Sequence, residues 1–366
     1  MGVITRGIAN NILSGGTIDA TDGLSGTVSA SNITDSSISS VTAFPAAAGD
    51  FIQSTASDPS PATIGDVWYN NATYAFKVAS IQASAWASEG NLNTARGLSA
   101  GTGIQTAALY MGGFPASAVV ESWNGTSWTT SPSLNTARYG LSATGTQTSA
   151  LAFSGIEGAT IGVATEKYNG TSWTSVNSMN TARVYAAGAG TQTATLTFGG
   201  GNPNKTSLNA TESYNGTTWT SSPSVLALAR MGFGGSGTQT SALAFGGGPT
   251  DDGAPVFTET EEWGGSSWTS GGSLNTGRQF LGSAVAGTQT SALAFGGLGV
   301  PTITTATELY NGTSWTSNPT GLNTARFAVA GAGTQSSALA FGKFPAGTNT
   351  ESWTGGGLVT KTITTS

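Results

Sequence analysis

Apolar residues alternate with small and polar residues over short runs along most of the chain, and helical periodicity is absent. A clear case is residues 241–247, SALAFGG, which follow the polar run GTQT at residues 237–240. Residues 307–310, TELY, show the same alternation just before an Asn-Gly pair. Period-two runs rich in Thr, Val and aromatic residues and bounded by Gly and Asn predict β-strands joined by tight turns. The pattern therefore predicts an all-β protein.

The strand pattern recurs in six copies. Each copy has a glutamate two residues before a Trp or Tyr, and successive copies are separated by an arginine at spacings of 42 to 48 residues. Four predicted strands in a period of about 40–50 residues are typical of a propeller blade, since a single four-stranded sheet cannot cover both its faces. The arginines are Arg96, Arg138, Arg183, Arg230, Arg278 and Arg326, and the glutamates are Glu121, Glu166, Glu212, Glu261, Glu308 and Glu351.

The copies resemble the kelch repeat family over residues 86–353. The resemblance lies in strand ends such as 242–247 and 292–297, the aromatic residue of the third strand, the Trp after it, and the arginine that leads into the next copy. It implies a six-bladed kelch-like β-propeller with four-stranded blades, and we expect an extended N-terminal arm in addition. The copper-dependent oxidases built on kelch-like propellers need Cys and His, and this chain has neither.

Three segments are expected. Residues 1–60 lack the repeat and predict an extended arm, residues 61–80 predict a β-hairpin, and residues 81–366 predict the propeller. The sixth copy ends at Trp353 without an outer tryptophan, whereas Trp86 precedes the first arginine by the interval found in the next copy. We therefore expect the strand near Trp86 to close the ring, with the tail, residues 358–366, as the alternative.

Composition narrows the possible chemistry. Only 8% of residues are charged, the net charge is −6, and no basic stripe is present, which argues against nucleic acid as a partner. The absence of His and Cys removes imidazole and thiolate chemistry and the usual zinc or copper ligands. No apolar run is long enough for a membrane helix, and we expect neither membrane insertion nor a signal peptide. The sequence predicts no catalytic residue, cofactor or metal.

Two repeated features have a binding interpretation and a structural one. The six arginines could form a cation ring for an acidic ligand, but six glutamates at matching positions favour one structural ion pair in each blade. Asn-Gly-Thr at Asn124, Asn169, Asn215 and Asn311 matches the glycosylation sequon, but we expect type I′ turns there.

The loop between the second and third strands differs in every copy, whereas the loop between the first and second is nearly fixed as GTQT. Variable loops on a rigid scaffold are where recognition usually occurs. The acidic residues near 251 fit no calcium loop, and we expect a solvated loop there. The candidate recognition residues are Phe114, Pro115, Asn202, Lys205, Asp251, Asp252, Pro301 and Phe344.

A second resemblance concerns function. Residues 65–70, GDVWYN, are similar to segments of phage tail and fibre proteins, and residues 286–297 look like kelch-like repeats of tailed phages of marine bacteria. This resemblance implies a non-enzymatic virion protein, in the tail or fibre rather than the capsid. The arm would dock to other virion proteins, and the propeller would bind a host-surface glycan or protein. The alternatives are a purely structural decoration protein, a glycan-cleaving virion enzyme and a cellular kelch scaffold; a homo-oligomer is left open.

Overall fold

The structure, a computed structural model, describes residues 53–60, 62, 66–204, 206–251 and 255–362. These residues form β-strands, turns and loops, and they contain no helix. The strands make seven four-stranded sheets and one two-stranded ribbon. The described residues divide into two compact units, one that contains residues 53–83 and 356–362 and the other residues 84–355.

The larger unit is a six-bladed β-propeller, and the smaller unit is a single sheet. The first strands are β1 (Gln53–Thr55), β2 (Val67–Asn70), β3 (Ala75–Gln82) and β4 (Ala85–Ser88). Blade 1 contains β5 (Ala100–Ile104), β6 (Ala107–Met111), β7 (Val120–Trp123) and β8 (Trp128–Ser131). Blade 2 contains β9 (Ser142–Gly145), β10 (Ala150–Phe153), the ribbon β11 (Ile156–Glu157) and β12 (Thr160–Ile161), β13 (Thr165–Tyr168) and β14 (Trp173–Val176).

The remaining blades repeat this order. Blade 3 contains β15 (Ala187–Thr191), β16 (Ala194–Phe198), β17 (Thr211–Tyr214) and β18 (Trp219–Ser221). Blade 4 contains β19 (Gly234–Gly237), β20 (Ala242–Phe245), β21 (Thr260–Trp263) and β22 (Trp268–Gly271). Blade 5 contains β23 (Gly282–Ser283), β24 (Ala292–Phe295), β25 (Thr307–Tyr310) and β26 (Trp315–Asn318). Blade 6 contains β27 (Ala330–Gly333), β28 (Ser337–Phe341), β29 (Thr350–Thr354) and β4, and β30 (Gly357–Thr362) follows.

The core lies between neighbouring blades. All four residues of β20 are buried, because blades pack against both faces of the second strand. Phe245 of blade 4 packs on Trp315 of blade 5, with ring centroids 4.7 Å apart. In the outer strand β26 only Trp315 is buried, and Thr316 and Ser317 are exposed. The bulky tryptophan thus fills the wider space where the blades diverge.

The outer tryptophan also makes a polar contact to the preceding blade. The indole N–H of Trp219 in blade 3 donates to Thr165 Oγ1 of blade 2 at 3.0 Å, and four other blades repeat this bond. Blade 1 carries Val120 at the threonine position, and Trp173 of blade 2 donates instead to the carbonyl oxygen of Pro132 at 3.0 Å. A buried indole N–H therefore has a partner at every junction, as burial requires.

A glutamine in each loop between the first and second strands joins the blades near the axis. Its Nε2 donates to two backbone carbonyl oxygens of the preceding blade, one from the second strand and one from the third. For Gln192 the acceptors are Ala150 and Tyr168, at 3.0 and 2.5 Å. The other glutamines that do this are Gln105, Gln147, Gln239, Gln289 and Gln335.

The ring closes through the N-terminal strand of the propeller. β4 pairs antiparallel with β29, so that Trp86 lies opposite Trp353, and Gln105 of blade 1 donates to the Trp353 carbonyl oxygen at 2.7 Å. The tail strand β30 pairs with β3 in the smaller unit. The propeller therefore spans residues 84–355 rather than the expected 81–366, because β4 already occupies the outer place in blade 6.

The smaller unit contains the expected hairpin, β2 with β3, and two more strands. β1 pairs parallel with β2, and β30 pairs with β3. Trp68 is buried, and its indole N–H and the Asn70 amide donate to Asp58 Oδ1 at 3.1 and 2.9 Å. These bonds, Asn70 first, lower the pKa of Asp58. Of the predicted arm, residues 1–52 lie outside the described residues.

The turns at the Asn-Gly pairs are not of the expected type I′. A type I′ turn needs positive φ at both central residues, but here only the glycine has it, with φ of +93° at Gly125. The Asn124 Oδ1 instead accepts the N–H groups of Thr126 and Ser127 at 3.0 and 2.9 Å. The asparagine is therefore selected for its side-chain oxygen, which replaces a backbone acceptor.

Candidate functional site

A clamp joins each blade to the segment that enters it. In blade 1 the carboxylate of Glu121, on β7, accepts the backbone N–H of Asn93 at 2.7 Å and the Arg96 Nη1 at 2.8 Å. Asn93 and Arg96 lie on the connection from β4, in blade 6, to β5, in blade 1. One carboxylate thus fixes the path of the chain from one blade to the next.

The clamp is present in all six blades. The arginine lies 2.5 to 3.0 Å from its glutamate, and a backbone N–H donates to the same carboxylate at 2.6 to 2.9 Å. In blade 4 Ala227 replaces the usual asparagine and still donates its N–H at 2.6 Å. In blade 5 Arg278 Nη2 and Glu308 Oε1 lie 3.0 Å apart without hydrogen-bond alignment. The ion pair joins Arg96–Glu121, Arg138–Glu166, Arg183–Glu212, Arg230–Glu261, Arg278–Glu308 and Arg326–Glu351.

Both members of each clamp are buried. No clamp side chain is more than 4% exposed. Burial lowers the pKa of Arg183, and the charge of Glu212 opposes that shift. Arg183 Nη1 also donates to the carbonyl oxygens of Gly199 and Ala210, both at 2.9 Å. The arginines are therefore buried and paired with carboxylates, although their Nε atoms have no hydrogen-bond partner, and they do not present a cation ring to solvent.

The candidate loop residues of blades 1 and 6 come together. Phe114 is 42% exposed, and its ring centroid lies 5.8 Å from that of Phe344, which is half-buried. Pro115, next to Phe114, is exposed. Loops from the first and last blades thus meet because the ring is closed.

The other candidate residues belong to separate blades. Asn202 Oδ1 accepts the N–H groups of Asn204 and Thr206 at 2.9 and 3.1 Å, so it orders its own loop. Asp251 and Pro301 are exposed, in blades 4 and 5. Two further candidates, Lys205 and Asp252, lie outside the described residues.

The residue two positions after each clamp arginine has positive φ in every blade. Its N–H donates to the carbonyl oxygen of the equivalent residue in the preceding blade at five junctions, at 2.5 to 3.0 Å. A residue other than glycine costs about 1 kcal/mol in this conformation. The backbone therefore favours glycine here, yet only two blades have it. The six residues are Leu98, Gly140, Tyr185, Gly232, Phe280 and Ala328, with φ between 50° and 63°.

Six aromatic rings form a continuous row on the same face as the variable loops; we call this row the aromatic belt. Its consecutive ring centroids lie 5.1 to 6.4 Å apart. Every ring is half-buried or exposed, so the belt is accessible to a ligand. In order along the row, the belt contains Tyr139, Phe114, Phe344, Phe327, Phe280 and Tyr185.

Two glycines make room for the belt. A Cβ at Gly140 would lie 2.7 Å from Cε1 of Tyr185, and a Cβ at Gly232 would lie 3.0 Å from Cδ1 of Phe280. The rings of Tyr185 and Phe280 therefore lie over the glycines of the preceding blades. Glycine at this position in blades 2 and 4 therefore leaves the space that the aromatic rings of blades 3 and 5 occupy.

Few charges border the belt. Burial raises the pKa of Tyr185, and the nearby groups Tyr139 and Asp251 raise it further. Glu157 is 27% exposed and lies beside the backbone partner of Tyr139, and its Oε1 lies 3.9 Å from Nη1 of the buried Arg138. Lys343 precedes Phe344 in the chain. The belt thus has a tyrosine at each end, with Asp251 near Tyr185, and a single lysine near its middle, counting only the part of the loops that the structure describes.

A cavity lies on the propeller axis, lined by the inner strands of all six blades. Its walls are small residues such as Ala100, Ser142 and Gly188. The volume of about 120 Å³ is well below the 300–1,000 Å³ usual for a small-molecule pocket. The belt, not the axial cavity, is therefore the surface with room for a ligand.

The described part of the chain contains no group of three or more Asp, Glu, His or Cys residues that could hold a metal ion. Within the same residues, no helix is long and apolar enough to cross a membrane. No protein-family model matches the sequence, and no curated protein matches it either.

Proposed function

We propose that the chain is a non-enzymatic structural protein of a bacteriophage particle, in its tail or fibre, and that its propeller attaches to the host surface. The observation that supports attachment is the accessible aromatic belt on the face of the variable loops. Binding residues are commonly carried by loops that a rigid scaffold positions. The assignment to a phage particle comes from the resemblance of residues 65–70 and 286–297 to phage proteins.

The state of the charged residues favours binding over catalysis. Cleavage of a glycan needs two carboxyl groups that reach the sugar. The six clamp glutamates are buried and paired with arginine, so they are not available for that role. Glycan cleavage and a purely structural decoration role remain as the alternatives that the experiments must separate.

The proposal is tested with the full chain and with the particle. Fluorescently labelled chain is expected to bind host cells saturably, and exchange of the Phe114 and Phe344 loops for those of blade 3 is expected to abolish binding. Gold-labelled antibody is expected to mark the tail or fibre in electron micrographs. Label on the capsid without cell binding would favour a decoration protein, and release of reducing sugar from host polysaccharide would favour an enzyme.

The role of the N-terminal segment has its own test. Particles produced with residues 1–60 deleted from this protein are expected to lack it, because the segment is proposed to dock to other virion proteins. Unchanged incorporation of the deleted protein would contradict docking through residues 1–60 without affecting host attachment by the propeller.

A further inference from the structure

We infer that the aromatic belt binds a neutral saccharide, with hexopyranose rings stacked on Phe114, Phe280 and Tyr185. The inference rests on the proposed attachment function and names the ligand class of the same face. It is drawn from the continuity of the belt, its polar groups and the sign of the charges around it.

The continuity of the belt fits a chain of sugar rings. A pyranose has an apolar face of C–H groups and hydroxyls around its edge, so an aromatic face can cover the first without burying the second. Six neighbouring rings, with centroids 5.1 to 6.4 Å apart and interplanar angles of 60° to 90°, give a row of alternating ring faces and edges along which successive sugar units can lie. An isolated exposed ring would not provide this.

The polar groups at the two ends of the belt, which are close enough to interact electrostatically, fit the hydroxyls of a sugar. Among the described residues, neither the Tyr139 nor the Tyr185 hydroxyl makes a hydrogen bond to another side chain or to the backbone. Asp251 is exposed and close enough to Tyr185 for its charge to act on that phenol. Two phenols and a carboxylate provide donors and acceptors beside an apolar surface, which is the composition of a ligand site.

The positive-φ positions add a second observation. Tyr185 and Phe280 occupy a backbone conformation that favours glycine, and Gly140 and Gly232 occupy it in the intervening blades. The rings lie over those glycines. Large aromatic residues at positions where the fold accepts glycine are explained by what their side chains do on the surface.

The charges select a neutral saccharide over an acidic one. Asp251 brings negative charge to the Tyr185 end of the belt, whereas Arg138 offsets the charge of Glu157 near Tyr139, and the whole chain carries a net charge of −6. An acidic polysaccharide would meet like charge there. A host protein is the competing partner class, and the experiment below separates it from a saccharide.

The test is binding of the full chain to defined oligosaccharides. Maltohexaose, cellohexaose and mannohexaose are the neutral probes, and hexagalacturonate is the acidic one, with saturation-transfer NMR and calorimetry as readouts. We expect at least one neutral probe to bind with Kd below about 1 mM, and hexagalacturonate to bind at least tenfold more weakly.

Variants locate the site. Phe280→Gly and Tyr185→Gly introduce the residue that blades 2 and 4 already carry at this position, so the fold should tolerate them. Each is expected to weaken binding at least tenfold, as is Phe114→Ala. Ile104→Ala is the matched control, because Ile104 is 49% exposed at the end of β5, next to the loop between the first and second strands. Circular dichroism and the unfolding midpoint check that each variant is folded.

The outcomes separate the two proposals. No binding of any neutral probe, stronger binding of hexagalacturonate, or unchanged affinity in the folded belt variants would overturn the saccharide inference. If host cells still bind the chain in that case, and protease treatment of the cells removes binding, attachment stands with a protein receptor. If the chain binds a saccharide but no host cell, the attachment function is contradicted and the inferred saccharide site stands.

Discussion

The clamp arginine and the residue two positions later lie on one connecting segment, but they differ in what the six blades permit. The first is always arginine, buried and paired with glutamate. The second is Leu, Gly, Tyr, Gly, Phe or Ala, with one backbone conformation throughout. The segment therefore separates two tasks within three residues: assembly of the ring and presentation of a surface.

The loops show the same division. Each loop between first and second strands carries a glutamine that bonds two carbonyl oxygens of the preceding blade, so its sequence is constrained by the ring. The loops between second and third strands share one backbone bond at their start, such as that from the Gly155 N–H to the carbonyl oxygen of Arg183 in the next blade, but beyond it they differ in length and composition. Assembly of the ring explains why the glutamine recurs in the first set of loops. The variable parts of the second set need an explanation in the chemistry of the surface.

The largest effect on stability is expected when one charge of a clamp is removed. Glu212→Gln keeps the shape of the side chain but leaves Arg183 buried and uncompensated, so we expect a loss of about 3–5 kcal/mol in the free energy of unfolding. Urea denaturation measures it. Glu259→Gln, at an exposed glutamate, is the control and should change stability by less than about 0.5 kcal/mol. Equal effects would show that the clamp has no special role.

The next test uses pH and a buried phenol beside a clamp. Tyr110 donates its hydroxyl to the Arg96 carbonyl oxygen at 2.9 Å, and burial raises the pKa of Tyr110 to about 12. The unfolded chain loses this proton near pH 10, whereas the folded protein keeps it, so this stability is complete below pH 10 and declines as pH rises through 12. We expect a loss of roughly 2–3 kcal/mol.

Tyr110→Phe removes the titrating group and is the control for the pH effect. Its free energy of unfolding, measured by urea denaturation from pH 9 to 12, should fall less steeply than that of the parent chain. The same slope in both proteins would assign the alkaline loss to other groups.

A weaker effect is expected at the fixed loops. Gln192→Ala removes two hydrogen bonds to blade 2 and should lower the free energy of unfolding by about 1–2 kcal/mol. Thr193→Ala, at the exposed neighbour, should be nearly neutral. Thermal unfolding compares the two. If Thr193→Ala costs as much as Gln192→Ala, the glutamine bridge is not what constrains this loop.

The smallest effects, of opposite sign, are expected at the positive-φ positions. Ala328→Gly relieves the backbone and should stabilise the protein by up to about 1 kcal/mol. Gly140→Ala should destabilise it by about 1 kcal/mol or more, because a Cβ would lie 2.5 Å from Val184 Cγ2. Denaturant midpoints measure both. If both variants change the free energy of unfolding in the same direction, the six positions do not share a backbone conformation that favours glycine.

Much of the propeller could be predicted because its constraints repeat in the sequence. The spacing of glutamate and arginine predicts six blades, and the position of Trp86 relative to Arg96 predicts which strand closes the ring. The structure adds the direction of each ion pair: the arginine pairs with the glutamate that follows it, in the blade that it enters. Spacing alone does not distinguish that partner from the glutamate before it.

The candidate surface was only partly predictable. Loop variability identifies Phe114 and Phe344. It does not identify the other four belt residues, which are Tyr139, Tyr185, Phe280 and Phe327. Their signal was an aromatic residue one or two positions after the arginine, which is visible only when the blades are compared at that position. Their convergence depends on ring closure and on the positive-φ backbone, neither of which a linear pattern displays. The glutamine of the fixed loop was visible in every copy, but its partners lie in another blade.

The most direct test of the central claim is oxidative footprinting of the full chain bound to host cell envelopes. If the belt is the binding face, Tyr139, Phe114 and Phe280 should be protected on binding, while Ile104 and Tyr74, which are also exposed, should react as in the free chain. Protection of Ile104 with no change at the belt would contradict the account.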